Sequence, residues 1–212
     1  MRKAVIISGY INGLSDNIIP FLNKETDLCV HTWDTPENAR WIFKLNRYKK
    51  YCKNFRIIID QPIEDEKLLS YFKSTMTAYS LVEDDCDVVI KFKPNIAADT
   101  IPYQGNLTEY YTKARVQCRP ILNNVSIDDC IFGKVYYRTI DERIFSGTKL
   151  AFDKIFTTFN YSDAVDLNRE LINEYGAGYE GSIFWTEFIE GTGIKIIEDT
   201  DLIISNNKEH EK

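Results

Sequence analysis

Short apolar runs alternate with amphipathic segments through the first half of the chain. The apolar runs are continuous and rich in β-branched residues, which is typical of strands buried on both faces of a parallel sheet. Four strands are predicted, at Lys3–Ser8, Asp27–Trp33, Phe55–Ile59 and Cys86–Lys93. Three helices are predicted between them, at 15–24, 35–52 and 65–84. This alternation predicts an open, mainly parallel, Rossmann-like sheet with right-handed crossovers.

The second predicted helix has the clearest local signals. Thr35 is a favourable N-cap residue, and Pro36 suits the first helical position because its missing N–H would have no partner there. The first predicted helix is less regular, since Pro20 removes a helical N–H from its interior.

The second half of the chain is richer in loops. Residues 94–126 are predicted to be irregular, with a helix near 107–116. Three strands are predicted at Ile131–Arg138, Arg143–Gly147 and Gly193–Ile197, and three helices at Thr148–Phe159, Val165–Tyr175 and Gly181–Glu190. We interpret 1–206 as one α/β domain, in which 1–99 bind a nucleotide and 100–206 handle a second substrate, followed by a polar tail at 207–212.

The composition limits the possible partners. Among 212 residues, 32 acidic and 26 basic side chains give a net charge of −6, the wrong sign for a protein that neutralises a nucleic-acid backbone. Five cysteines without a CxxC pair predict neither a disulfide framework nor a zinc site. No apolar stretch approaches the roughly 20 residues that a membrane span needs. We therefore expect a cytoplasmic protein with no nucleic-acid partner and no transmembrane segment.

Several common catalytic motifs are absent from the sequence. It contains neither the GxGxxG fingerprint nor a P-loop, which disfavours dinucleotide dehydrogenases and P-loop enzymes. GxSxG is also missing, and His31 and His210 are the only histidines, which disfavours a Ser-His-Asp hydrolase. The acidic cluster at 84–87 precedes its strand, and we interpret it as a solvated helix end rather than a metal site.

Candidate ligand-binding residues follow from the predicted topology, because open α/β sheets bind ligands beyond the carboxyl ends of their strands. These positions are Ser8, Gly9 and Tyr10 after the first strand, 31–34 after the second, and Lys91, Lys93, Asn95 and Asp99 around the end of the fourth.

Three blocks of sequence support a more specific interpretation. LCVHTWD at Leu28–Asp34, VVIKFKPNI at Val88–Ile96 and DERIFSGTKLAFDK at Asp141–Lys154 occur in the order and spacing of a known pattern. The chain thereby resembles small GT-A-like glycosyltransferases related to WavE-type lipopolysaccharide-synthesis proteins, found in bacterial surface-polysaccharide clusters and in some phages. The resemblance implies transfer of a hexose from a UDP- or GDP-sugar to a saccharide or other hydroxyl acceptor, with 100–206 as the acceptor half.

The chain departs from the family pattern at the strand exit. Where the pattern has two arginines and an aspartate, this chain has Lys91, Lys93 and Asn95. GT-A enzymes commonly hold Mn²⁺ or Mg²⁺ on a DxD-like carboxylate, and the metal ion bridges the donor's diphosphate. Asn95 offers only a neutral oxygen, which is a weaker metal ligand. Either the metal is held mostly by phosphate oxygens and water, with Asp99 helping, or the two lysines, on one face of the strand, supply the positive charge directly. The alternative is a solvent-facing edge with ordinary lysines.

The resemblance also implies roles for other residues. Ser8, Gly9, Tyr10 and Asp34 are the expected donor-binding residues, although Asp34 could instead help to cap the helix that follows. His31 lies inside a predicted strand, and we expect it to be a core histidine with satisfied hydrogen bonds.

An inverting reaction needs a carboxylate base from the acceptor half, and the candidates are Asp141, Glu180 and Glu187. Asp141 matches the family's DRF block and has Arg143 as a possible partner. Glu180 could equally be an ordinary acidic residue at a helix N-terminus, and a retaining enzyme would need no separate base.

Two other functions fit the same sequence. A nucleotide- or carbohydrate-binding module without activity would explain Asn95 at the expected carboxylate position. A nucleotidyltransferase would share the Rossmann-like front half but would release pyrophosphate.

Overall fold

The computed structural model describes residues 2–12, 14, 16–63, 67–94, 126–136 and 138–198. These residues contain one seven-stranded sheet of order β3-β2-β1-β4-β6-β5-β7. The strands are β1 Lys3–Ser8, β2 Thr26–Trp33, β3 Asn54–Asp60, β4 Val88–Phe92, β5 Cys130–Tyr136, β6 Thr139–Thr148 and β7 Lys195–Glu198. Only β6 runs against the others, pairing antiparallel with β4 and β5. The predicted α/β fold with a mainly parallel sheet is confirmed.

Helices flank the sheet, and most begin and end close to the predicted positions. The α-helices are α1 Pro36–Leu45, α2 Lys67–Tyr79, α3 Lys149–Thr158, α4 Tyr161–Tyr175 and α5 Gly181–Gly191. Three 3₁₀ helices cover Asp16–Phe21, Asn46–Lys50 and Ile127–Asp129. The helix predicted at 107–116 lies outside the described residues. None of the described helices is long and apolar enough to cross a membrane.

Local chemistry explains two of these boundaries. The Thr35 side chain accepts a hydrogen bond from the Asn38 N–H at 3.3 Å, so it caps α1 as predicted. The helix predicted at 15–24 is instead the short 3₁₀ segment, where Pro20 lacks the N–H that a longer α-helix would need.

The sheet separates two hydrophobic cores. Along β1, Ala4 and Ile6 pack on one face with α2 and α5, while Val5 and Ile7 pack on the other with α1. The first core is strongly aromatic, and its rings belong to Phe72, Phe145, Phe152, Trp185 and Phe188, among others. Because side chains alternate along a strand, the four consecutive apolar residues from Ala4 to Ile7 are what a strand buried on both faces requires.

Strand β6 determines which residues meet β4 at its carboxyl end. It begins at Thr139, four residues before the predicted start, and its antiparallel register pairs Phe92 with Ile144. The Lys93 N–H continues this pairing with a 2.7 Å hydrogen bond to the Arg143 carbonyl. The start of β6 therefore lies beside the residues that leave β4.

The acidic cluster at 84–87 lies at the opposite, amino-terminal edge of the sheet. The Arg2 guanidinium pairs with Asp85 there, and the Arg2 N–H donates to Asp87 at 2.6 Å. Asp84 is fully exposed.

Candidate active site

A cavity of about 490 Å³ opens at the carboxyl ends of the parallel strands. Its wall includes Ser8, Gly9 and Tyr10 after β1, Trp33 at the end of β2, and Lys93 after β4. Glu142 of β6, side chains of α2, and the segment joining α4 to α5 complete it. The cavity therefore lies beyond the carboxyl ends of the strands, and four of the residues predicted for the donor site line it: Ser8, Gly9, Tyr10 and Lys93.

Side chains from neighbouring elements hold the backbone of the loop that follows β1. The Gly9 N–H donates to Ser74 Oγ at 2.6 Å, and the Gly9 carbonyl accepts from Thr32 Oγ1 at 2.9 Å. Gly9 has φ of +88°, and a Cβ there would lie 2.9 Å from the Tyr71 ring. Both the conformation and the space therefore require glycine.

His31 supports this loop from inside the protein. Its Nδ1 lies 2.6 Å from Ser74 Oγ, and its Nε2 lies 3.1 Å from Asp60. The Asp60 carboxylate can only accept, so we assign the ring hydrogen to Nε2, and Nδ1 of the neutral ring then accepts from the Ser74 hydroxyl. Burial lowers the pKa of His31 and favours this neutral form. His31 is thus a buried histidine with both ring nitrogens in contact with polar partners.

Asp34 lies next to the cavity but does not line it. It is exposed, and its carboxylate accepts a hydrogen bond from Gln61 Nε2 at 3.1 Å. The side chain that caps α1 is Thr35, so the capping alternative does not explain Asp34. Its neighbour Trp33 is buried in the cavity wall, and the indole Nε1 has no hydrogen-bond partner within the described part of the chain.

Lys91 lies beneath the cavity in an aromatic cage. It is fully buried, with Nζ within 4.8 to 4.9 Å of the ring centroids of Tyr71, Phe145 and Trp185. The amine donates to the Tyr71 hydroxyl at 2.7 Å and to the backbone carbonyl of Glu142. Burial lowers the pKa of Lys91 to about 7, against opposing attraction from nearby carboxylates. A solvent-facing edge with ordinary lysines does not describe this residue.

Lys93 is two residues further along and belongs to the cavity wall. Its amine forms an ion pair with the Glu142 carboxylate, which is partly exposed in the same wall. Glu142 also packs against the first turn of α5, where a Cβ on Gly181 would overlap its carboxylate. The absence of a side chain at Gly181 therefore makes room for the ion pair.

The three carboxylates predicted as catalytic bases lie outside the cavity lining. Asp141 is buried and held by Arg143, whose Nε donates to both of its oxygens at 2.9 and 3.0 Å. Glu180 is the N-cap residue of α5 and contacts Ser182 Oγ at 3.2 Å. Glu187 is exposed on α5, six residues from Gly181, which corresponds to about 9 Å along a helix.

Glu142 is the carboxylate that sequence reasoning missed. It directly follows Asp141, and strand alternation puts the two side chains on opposite faces of β6. The alternation was visible in the sequence, but the cavity-facing side depends on how β6 pairs with β4.

The predicted metal ligands Asn95 and Asp99 lie outside the described residues. Within the described ranges, no group of three or more His, Cys, Asp or Glu side chains could hold a metal ion.

Comparisons with known proteins bear on the fold. No protein-family model and no curated protein matches this chain in sequence. Among solved structures, apo glycosyltransferase GlyE from Streptococcus pneumoniae TIGR4 is similar, with 11% identity and a TM-score of 0.55. The match covers 93% of this chain but only 45% of the GlyE chain.

Two other structures are less similar. Apo mouse xyloside xylosyltransferase 1 has 8% identity and a TM-score of 0.43, covering 91% of this chain and 81% of that one. 4-Diphosphocytidyl-2C-methyl-D-erythritol synthase from Anaerococcus prevotii DSM 20548 has 10% identity and a TM-score of 0.43, covering 98% and 92%. The likeness to GlyE concerns the fold, which is GT-A-like, with a seven-stranded, mostly parallel sheet flanked by helices.

Proposed function

We propose that this protein is a glycosyltransferase that moves a hexose from a UDP- or GDP-sugar to a saccharide or other hydroxyl acceptor. The observation that carries the proposal is the cavity at the strand exits of a GT-A-like sheet, where Ser8–Tyr10, Lys93 and Glu142 share one wall. Its volume of about 490 Å³ falls within the range typical of small-molecule sites. A relation to WavE-type proteins and a cytoplasmic role in polysaccharide synthesis belong to the same proposal.

In this reaction the protein must stabilise the negative charge that develops on the departing nucleoside diphosphate. Two lysines, Lys67 and Lys93, belong to the described lining of the cavity, and Lys93 suits this role better because its amine already binds one anion there. The loop after β1 would receive the nucleotide, since its Gly9 backbone is held in place before any ligand arrives. Asp34, exposed beside Trp33, would bind the ribose or base at the rim.

An inverting reaction also needs a base for the acceptor hydroxyl. Glu142 suits this role better than Asp141, Glu180 or Glu187, because it lines the cavity and the other three do not. When a diphosphate replaces the Glu142 carboxylate as the partner of Lys93, that carboxylate becomes free to accept a proton. In a retaining reaction no separate base is needed, and the role of Glu142 would be only its ion pair with Lys93.

A divalent cation, Mn²⁺ or Mg²⁺, remains part of the proposal through Asn95 and Asp99. The described residues do not fit a metal by themselves, because the cavity's carboxylate, Glu142, is already paired with Lys93. Every step above is therefore assigned to side chains of the protein.

The first experiment is a thermal-shift screen of UDP, GDP, CMP and ADP, each with and without manganese. A ligand that binds only the folded state raises the melting temperature, so a shift with UDP or GDP is expected. A shift that requires manganese would support the metal, and a shift without it would support the lysine. No shift with UDP or GDP would contradict the proposal.

Product analysis then separates the three candidate activities. Incubation with UDP- and GDP-hexoses should release the nucleoside diphosphate. Release of pyrophosphate from a sugar phosphate and a nucleoside triphosphate would indicate a nucleotidyltransferase, and binding without any turnover would indicate a non-catalytic module.

Two matched pairs of variants test the assigned residues. Lys93→Ala should lower turnover about 100-fold, as removal of one charge-stabilising donor does in other enzymes, whereas the exposed control Lys195→Ala should not. Asp34→Ala should weaken donor binding about tenfold, the value of one hydrogen bond to a charged group, with Glu37→Ala as the exposed control. Wild-type kinetics in Lys93→Ala or unchanged donor affinity in Asp34→Ala would remove that residue from the site.

A further inference from the structure

Residues 38–59 form a strongly basic stretch in an acidic protein. They contain seven basic side chains and no acidic one, whereas the rest of the chain carries 19 basic and 32 acidic side chains. The stretch covers most of α1, the 3₁₀ helix Asn46–Lys50 and most of β3. Its charge therefore has the opposite sign to the remainder of the molecule.

Most of these cations face solvent and form no ion pair with the described residues. Five of them are exposed and have no acidic side chain within 4.0 Å among the described residues; they are Arg40, Arg47, Lys49, Lys50 and Lys53. The other two are partly buried and paired, Lys44 with Asp16 at 3.4 Å and Arg56 with Asp27 at 3.2 Å. We call the five exposed cations, together with Phe43, the basic face.

Aromatic side chains lie among the charges of the basic face. Phe43 is 77% exposed, more than any other large apolar side chain in the described ranges. Arg40 precedes it by three residues in α1, so the two are neighbours on the helix surface. The Lys49 and Lys50 amines lie 5.1 and 4.7 Å from the ring centroids of half-buried Phe55 and Tyr51.

We propose that the basic face binds the surface of a bilayer that contains anionic lipids. A short helical segment with Lys and Arg around an exposed aromatic side chain is the pattern of helices that lie in a membrane interface. Cations near such a surface are attracted to acidic headgroups, and Phe43 would enter the boundary of the acyl chains. Phe43 is the one strongly exposed aromatic side chain of the basic face, whereas sites for single-stranded nucleic acid combine several aromatic side chains with their cations, which favours lipid as the anionic partner.

The location of the basic face leaves the cavity accessible. Trp41, Ile42 and Leu45 of α1 pack into the core on one side of the sheet, while α2 and α5, which contribute to the cavity wall, pack on the other. Membrane binding and ligand binding are therefore compatible, and membrane binding can be measured without any knowledge of the reaction.

The test is co-sedimentation of the full chain with vesicles of phosphatidylcholine, with and without one third phosphatidylglycerol. Binding is expected only to the vesicles with phosphatidylglycerol, and it should fall at high ionic strength. The triple variant Arg47→Gln, Lys49→Gln, Lys50→Gln should bind about 100-fold more weakly, because each cation contributes roughly fivefold.

Two matched controls separate a specific face from a general charge effect. The triple variant Lys154→Gln, Arg169→Gln, Lys195→Gln removes the same charge from exposed positions on other elements and should bind nearly as the wild type. Phe43→Ser should weaken vesicle binding about tenfold, whereas Leu150→Ser, at a site that is 56% exposed, should not.

Three results would overturn the proposal. The first is no binding to vesicles with phosphatidylglycerol at low ionic strength. The second is an equal loss of binding in the control triple variant. The third is binding of polyuridylate under conditions where vesicles do not bind, which would make the basic face a nucleic-acid site.

Discussion

Replacement of Lys91 by methionine tests the electrostatics beneath the cavity. Methionine has a similar shape and makes favourable contacts with aromatic rings, so it suits the cage of Tyr71, Phe145 and Trp185. What it removes is an amine that the folded chain holds away from water. The substitution therefore separates the cost of the buried charge from the packing of the cage.

The magnitude follows from the pKa of Lys91, which burial lowers from 10.5 to about 7. This difference corresponds to about 5 kcal/mol for keeping the amine protonated in the folded chain. Between these two pKa values the unfolded chain binds the proton and the folded chain does not. The Lys91 contribution therefore destabilises most below pH 7, and the free energy of unfolding rises with pH up to about 10.5.

Urea unfolding of the wild type and Lys91→Met at several pH values is the assay. The stability of the variant minus that of the wild type should fall by about 2 kcal/mol between pH 7 and pH 9, because only the wild type gains stability there. Taking the difference in free energy of unfolding between variant and wild type cancels the contributions of other titrating groups, and a packing cost that does not depend on pH adds only a constant. A difference that stays constant with pH would refute a lowered pKa at Lys91.

Three further predictions concern the cavity and its support. Gly181→Ala should displace the Glu142 carboxylate and lower turnover about tenfold, with a stability change within about 1 kcal/mol; normal kinetics would contradict the close packing. Ser74→Ala should leave the Gly9 N–H without its acceptor and weaken nucleotide binding about tenfold in a titration. An unchanged nucleotide affinity would show that the loop after β1 does not bind the nucleotide. Because burial lowers the pKa of His31, the unfolded chain takes up a proton that the folded chain does not, and stability should fall as pH drops below 6.5. This loss is up to about 1.4 kcal/mol per pH unit, and His31→Gln should abolish it in urea unfolding.

The parallel part of the sheet could be predicted because its signals are local. Apolar β-branched runs such as Lys3–Ser8 occur where strands are buried on both faces, and the Thr35 side chain caps its helix by accepting from an N–H three residues later. The direction of β6 could not be predicted in the same way. Its residues form a strand in either direction, and only pairing with β4, about 50 residues earlier, makes it antiparallel.

The same distinction explains which of the predicted residues line the cavity. Ser8, Gly9, Tyr10 and Lys93 line the cavity because they follow parallel strands, and a general rule about α/β sheets reaches them. Glu142 comes to the cavity through β6, so its position depends on a register that no local pattern encodes. Asn95 and Asp99 lie outside the described residues, and their role as metal ligands stays a prediction.

The charge of Lys93 in the cavity wall is offset by a neighbouring carboxylate. Lys93 is neutralised by Glu142, and the low pKa of buried Lys91 reduces the positive charge directly beneath them. In the proposed reaction, we expect a diphosphate that binds Lys93 to displace the Glu142 carboxylate from the amine. That exchange would release the base at the moment when the donor is bound, and before then the ion pair would keep Glu142 from deprotonating a hydroxyl. Donor binding and activation of the acceptor would thus be coupled through a single ion pair, which gives a physical reason for the donor to bind first.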